Sequence, residues 1–288
     1  MQSRTDFSYY PGCSVEGMNK SYDKSARLVC KALDIDLAEL NDWNCCGASA
    51  YMSINELKAH LLSARNLAIA EKGRKDLVVV CPACLVTLTK TNHYTEESSR
   101  LKRTIESALA AVDMEYRGTV KVRHLLEVIM NEVGEARVKA NIKRKLTGLK
   151  VAPYYGCQFT RPFGGIDDEE FPMLLDRLLV WLGAQPVDYS FKAKCCGGML
   201  VMTDEKVGLG LTRGLLDCAV QSKADCIATI CPLCHMNLET YQGSVNKLFG
   251  TDFHVPTLYF TQLLGLALGF SFKSLGIYDV GNLENYLR

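Results

Sequence analysis

Cys45-Cys46-Gly47 carries the strongest chemical signature in this sequence: two adjacent thiols, then a residue free to adopt backbone angles closed to the others. The triplet returns as Cys195-Cys196-Gly197, and each copy has the same companions. Cys13 precedes the first pair by 31 intervening residues, and Cys81-Pro82-Ala83-Cys84 follows it after 34. Cys157 precedes the second pair by 37, and Cys231-Pro232-Leu233-Cys234 follows after 34. Ten of the thirteen cysteines fall into this pattern. A constant offset of 150 links Cys45 to Cys195, Met52 to Met202, Cys81 to Cys231, Cys84 to Cys234 and Leu88 to Leu238, which chance motif matches would not produce. Ahead of the triplet the offset is 144, linking Tyr10 to Tyr154 and Cys13 to Cys157, so the second copy carries six extra residues there.

Five thiols per copy are one too many for a structural zinc, which takes four ligands and rarely accepts two adjacent cysteines. A cubane four-iron cluster also takes four thiolates, usually from a compact cysteine run that this chain lacks. Five thiolates with a vicinal pair suit an extended iron–sulfur assembly, in which neighbouring cysteines reach different irons; zinc in one half stays open at this point. Gly47 and Gly197-Gly198 lack the spacing of a nucleotide loop. His235, next to Cys234, is a candidate proton donor to a departing thiolate, but its counterpart is Leu85, and a structural role is the simpler reading. Cys30 lies on an apolar helical stripe and Cys226 in a strand, while Cys218 sits on the helix before it; all three read as packing.

The elements that must position these thiols are legible around them. Phe7 to Tyr10 reads as a short strand that delivers Cys13, and Asp76 to Val80 as a buried strand that ends at Cys81. Lys150 to Tyr155 and Asp225 to Ile230 repeat the arrangement, which places the ligands at the carboxyl ends of parallel strands. Ser53 to Glu56 reads as a capping box that opens a helix carrying Leu57, Leu61, Ala64 and Ala68, with Thr203 capping its copy, so each triplet should face a helix N-terminus. Helices are also expected over Glu96 to Met114, Val120 to Ile142, Met173 to Leu182 and Val255 to Leu268. The fold class is therefore α/β: two duplicated domains with short parallel sheets and flanking helices, 1–146 and 147–288, each with its own core.

Composition narrows the function. The 33 basic and 32 acidic residues leave a net charge of +1, with no general reason to bind nucleic acid or an anionic membrane. No apolar h-region follows Met1, and Val255 to Phe270 is too short and too polar to span a bilayer, so a cytoplasmic protein is expected. Thirteen cysteines then point to metal or redox chemistry.

Two copies of a cysteine, Cys-Cys-Gly and Cys-x-x-Cys at these spacings resemble the CCG module, and the pairing covers the chain from Cys13 to Cys234. The sequence is similar to the B subunit of heterodisulfide reductase, the catalytic subunit that in methanogens cleaves the mixed disulfide of coenzymes M and B; its second spacers are slightly shorter than that pattern. The resemblance implies two pseudo-twofold-related domains and two noncubane [4Fe-4S] clusters, one on Cys13, Cys45, Cys46, Cys81 and Cys84, the other on Cys157, Cys195, Cys196, Cys231 and Cys234. It implies a disulfide oxidoreductase that reduces a small-molecule disulfide lodged between the clusters. It also implies two partners, a ferredoxin-like iron–sulfur C subunit and a flavin-containing A subunit. The same paired module occurs in subunits of organic-acid oxidising systems and thiol-linked fumarate reductases, where it passes electrons to a quinone or thiol, and in B-like subunits of sulfur oxidisers. A cysteine-rich scaffold with structural metal is the non-enzymatic rival.

Overall fold

The computed structural model describes residues 5–48, 50–163, 166–278 and 283–284. Residues 1–4, on which the targeting expectation partly falls, lie outside the described residues, as does part of the C-terminal tail.

Among the described residues the chain forms two four-stranded parallel sheets of identical topology. The first contains β1 (Thr5–Tyr10), β2 (Ile35–Glu39), β3 (Leu77–Val79) and β4 (Val122–His124), in the order β2-β1-β3-β4. The second contains β5 (Lys150–Tyr154), β6 (Gln185–Pro186), β7 (Cys226–Thr229) and β8 (Thr257–Tyr259), in the order β6-β5-β7-β8. All pairings are parallel, so the carboxyl ends of β1 and β3 lie side by side, with Tyr10 opposite Val79, and those of β5 and β7 likewise, with Tyr154 opposite Thr229. The residues that follow these ends are the candidate ligands.

Three expectations change, and two strands are added. The stretches 120–142 and 255–268 do not begin as helix: each opens with a three-residue strand, β4 or β8, and only then turns helical. Such strands are buried on the sheet and too short for a period of two to show against a following apolar helix. The edge strands were not anticipated: β2 buries only Ile35 and β6 is two residues long, as an edge needs little burial. The helix caps fall one or two residues later than Ser53 and Thr203, which lie in one-turn helices, Ala50–Ile54 and Leu200–Thr203. Asn55, in extended backbone, accepts from Lys58 N and opens the helix Glu56–Glu71, and Asp204 accepts from Val207 N and opens Glu205–Gln221.

The third change concerns the core. Each half has an outer apolar cluster of its own, but the largest cluster runs through both halves, from Phe7 and Val29 to Leu178, Phe260 and Leu275. The contacts across this seam are reciprocal. The helix Lys20–Ala32 packs on Phe260–Ala267, and its structural counterpart Leu174–Trp181 packs on Leu125–Val128, as a pseudo-twofold relation requires. Tyr22 stacks on Tyr259 at 3.9 Å between ring centroids and donates to the Ile230 carbonyl at 2.9 Å. Tyr259 in turn donates to Asn19 at 2.7 Å, and the Ser25 and Thr261 hydroxyls bond at 2.7 Å. Polar groups buried this deeply would destabilise the seam unless paired, and each has found its partner in the other half.

Candidate metal centres

The fold gathers all ten motif cysteines. Cys13 follows the end of β1; Cys81 follows β3 and caps the helix Pro82–Glu97, with Pro82 at the first helical position. Cys231 does the same for the helix that starts at Pro232. The helix N-termini that face sulfur are thus those of the Cys-Pro-x-Cys turns, while one-turn helices separate the triplets from their long helices. The triplet sulfurs find backbone donors directly: Gly197 N and Gly198 N lie 3.4 Å from the Sγ atoms of Cys195 and Cys196.

The glycine of each triplet is dictated by two constraints. Gly47 and Gly197 have φ of +81° and +94°. A Cβ on Gly47 would come within 3.2 Å of the Ala59 backbone, and one on Gly197 within 2.9 Å of the Gly208 carbonyl oxygen. At Gly12 and Gly156 a Cβ would instead occupy the space beside Cys84 and Cys234, 3.2 and 3.0 Å from their sulfurs, so the backbone is pared away around the thiols.

Sulfur lies beside sulfur through all ten cysteines. Cys13 meets Cys45 at 3.7 Å and Cys46 meets Cys84 at 3.4 Å; Cys45 also lies beside Cys46, and Cys84 beside Cys81. Cys81 lies beside Cys231 of the other half, and the series continues through Cys234, Cys196 and Cys195 to Cys157. Cys13, Cys45 and Cys195 are exposed and Cys157 half-buried, whereas Cys46, Cys81, Cys84, Cys196, Cys231 and Cys234 are buried. Each site therefore has a solvent-facing edge and a buried base, and the two bases meet at the seam.

The acidities show what this packing needs. The bond from Cys13, then that from Cys46, hold Cys45 down to about 2, and Cys157 and Cys196 do the same to Cys195. The partners move the other way: the bond to Cys45 raises Cys46 to about 12, and that to Cys195 raises Cys196 to about 11. Sulfurs this close cannot all become thiolates unless positive charge replaces the protons, so the donor set fits a polycationic core. Among the described residues no three Cys, His, Asp or Glu side chains converge on a single ion; the sulfurs are spread as linked pairs.

Of the residues set aside as packing, Cys30 and Cys226 lie in the shared core, where burial pushes both thiols up, and Cys218 is half-buried with the Ser190 hydroxyl 3.6 Å away. His235 stacks on Tyr259 at 4.1 Å and bonds the Thr257 backbone; burial lowers it to about 4, so it is neutral at pH 7. Two further residues belong to the site. His124, counterpart of Tyr259 at the end of its sheet's fourth strand, is fully buried with Nδ1 accepting from Leu126 N, while its Nε2 has no partner. The Val80 and Ile230 backbones, just ahead of the two Cys-Pro-x-Cys turns, lie beside its ring. Asn237 bonds the Cys196 sulfur and carbonyl. In both cases the other half carries a different residue, Tyr259 for His124 and Thr87 for Asn237, so the repetition that picked out the cysteines could not find them.

Fold and site define a class: a duplicated α/β protein in which each half carries a five-cysteine set and the two sets abut. The profile of the cysteine-rich domain CCG matches residues 7–89 and 151–239. The B subunit of the ferredoxin:CoB-CoM heterodisulfide reductase of Methanosarcina mazei is 35% identical over 284 residues, 96% of this chain and 94% of its own length. The 8-methylmenaquinol:fumarate reductase membrane anchor subunit of Wolinella succinogenes is 35% identical over 274 residues, 94% of this chain and 95% of its own. A protein of Archaeoglobus profundus that is itself like the heterodisulfide reductase B subunit is 30% identical over 271 residues, 92% and 91% of the two chains. A crystal structure of a hypothetical protein from Helicobacter pylori shares the fold, with a TM-score of 0.75 at 14% identity, covering 95% of this chain and about half, 52%, of its own. The chain belongs to the cysteine-rich CCG-domain family that includes the B subunits of heterodisulfide reductases. No helix among the described residues is long and apolar enough to cross a membrane.

Proposed function

We propose that the chain is the iron–sulfur subunit of a heterodisulfide reductase-type complex and that it reduces a small-molecule disulfide to two thiols at the seam between its halves, 1–146 and 147–288. Cys13, Cys45, Cys46, Cys81 and Cys84 would hold one noncubane four-iron cluster, and Cys157, Cys195, Cys196, Cys231 and Cys234 the other. When bound, the clusters supply the two one-electron reductions that a disulfide needs; with two protons these release two thiols. The continuous series of ten sulfurs, crossing the seam at Cys81 and Cys231, carries this reading, because it brings two equivalent sites to one place.

The protein's own groups supply the rest. The Cys-Pro-x-Cys helix N-termini and the Gly197 and Gly198 amides stabilise thiolate, and the buried base keeps water from Cys81 and Cys231. Two cavities flank the seam at pseudo-equivalent places. One, of about 360 Å³, is lined by Leu85, Arg123, Gln158, Phe159 and Arg161, and the other, of about 450 Å³, by Met18, Lys20, Lys24, His235 and Glu239. Leu85 and His235 occupy the same position of the repeat, so each cavity joins the start of one half's Cys-Pro-x-Cys helix to the segment after the other half's first cysteine. No separate ferredoxin-type cysteine run is present, so electrons would come from an iron–sulfur partner of the C-subunit kind, fed by a flavin-containing partner of the A-subunit kind.

The identity to the Wolinella protein favours one second reading, a CCG subunit that relays electrons between other redox partners and reduces no disulfide itself. Anaerobic purification, iron and acid-labile sulfide analysis, and turnover with a reduced artificial donor and small disulfides separate the two. Bound iron with disulfide-dependent oxidation of the donor supports the first reading; bound iron without it supports the relay.

A further inference from the structure

The two sites have matching cysteines but not matching surroundings. Asn237 is fully buried, and its Nδ2 donates to the Cys196 carbonyl at 3.1 Å, the Gly198 carbonyl at 3.0 Å and the Cys196 sulfur at 3.4 Å. Its position in the first copy is Thr87, whose hydroxyl turns back to the Ala83 carbonyl at 2.8 Å and leaves Cys46 without that donor. The helix differs with the residue. Pro82–Glu97 is a regular α-helix throughout, whereas the second copy opens into a wide π-turn at Met236–Thr240, the turn that carries Asn237.

An N–H donor to a ligating sulfur withdraws electron density from it and so raises a reduction potential. The other donors to the paired sulfurs, the two amides after each pair, are common to both copies. We propose that Asn237 makes the second site the more readily reduced of the two, so that the duplicated halves are electronically unequal and an electron shared between them resides on the Cys196 side. Asn237 is a positioning residue for the redox balance of the pair, acting through Cys196. The inference rests on the reading that both sites hold iron–sulfur clusters.

The test is a redox titration of the anaerobically purified, iron-loaded protein followed by electron paramagnetic resonance, with Cys45→Ser/Cys46→Ser used to assign the signals. Asn237→Thr, which installs the first copy's residue, should lower the midpoint potential of the second site and leave the first unmoved. Thr87→Asn should raise the first site toward the second. Full iron content with unmoved potentials in Asn237→Thr overturns the proposal. If Asn237→Thr sheds the second cluster, Thr87→Asn decides, and an unmoved first-site potential overturns the proposal. Absence of iron from the unsubstituted protein would instead defeat the cluster reading itself.

Discussion

Gly197→Ala tests the claim that the triplet glycine is required twice over, by its backbone angle and by what lies against it. At φ +94° a Cβ meets the following carbonyl, a strain of about 1–2 kcal/mol. The new methyl would also lie 2.9 Å from the Gly208 oxygen and 3.1 Å from its Cα, backbone atoms inside the helix Glu205–Gln221 that cannot swing aside. Overpacking of that kind adds about 1–3 kcal/mol, for a total near ~3.5 kcal/mol. Gly250→Ala is the internal control, since Gly250 ends the helix Gln242–Phe249 at φ +66° with nothing within 4 Å of its would-be Cβ, and it carries the angular strain alone, about 1.5 kcal/mol. At roughly 2–4 °C per kcal/mol for a chain of this size, the melting temperature should fall by about 7–14 °C for Gly197→Ala and about 3–6 °C for the control. Differential scanning calorimetry under anaerobic conditions measures both, and iron analysis should show Gly197→Ala losing second-site metal because the Gly197 and Gly198 amides are displaced. Equal shifts in the two variants would refute the close-approach argument and leave backbone angle as the sole reason for glycine.

The other predictions concern ligands, mechanism and acid stability. The anaerobically purified protein should contain about eight irons with matching sulfide, and about four would mean that one half is vacant or holds zinc, as metal analysis would show. Replacing Cys30, Cys218 and Cys226 together by alanine should leave the iron content unchanged at a stability loss of about 1 kcal/mol each, and loss of a cluster would show that a ligand was misassigned. Cys45→Ser/Cys46→Ser and Cys195→Ser/Cys196→Ser should each abolish disulfide-dependent turnover while the untouched half keeps its iron; half the original rate in either would mean that the sites act independently. Burial depresses the pKa of His60, so folding excludes its proton, and the stability this represents is present above about pH 6.5 and lost as pH falls through the depressed value. His60→Gln should therefore flatten the decline of melting temperature between pH 7 and pH 5, and an unchanged slope would count against that assignment.

Local pattern alone determined the duplication, the α/β class and the placing of thiols after parallel strands. The repeat offset survives because Cys-Cys-Gly and Cys-Pro-x-Cys each bring their own backbone requirements, and the β-branched run before Cys81 declares a buried strand without reference to the rest of the chain. The three-residue strands β4 and β8 and the edge strands β2 and β6 were not legible, since what makes them strands is a neighbour distant in sequence. The caps slipped from Ser53 and Thr203 to Asn55 and Asp204 because which residue caps depends on where the chain breaks direction, and packing sets that. The shared core was also hidden, because an apolar face read from sequence does not say which half it will cover. Tertiary structure alone brought Cys81 against Cys231, left His124 Nε2 unpaired beside both Cys-Pro-x-Cys turns, and set Asn237 on Cys196. These relations join residues far apart along the chain, and no period or spacing encodes them; they follow from two short sheets burying the same central core.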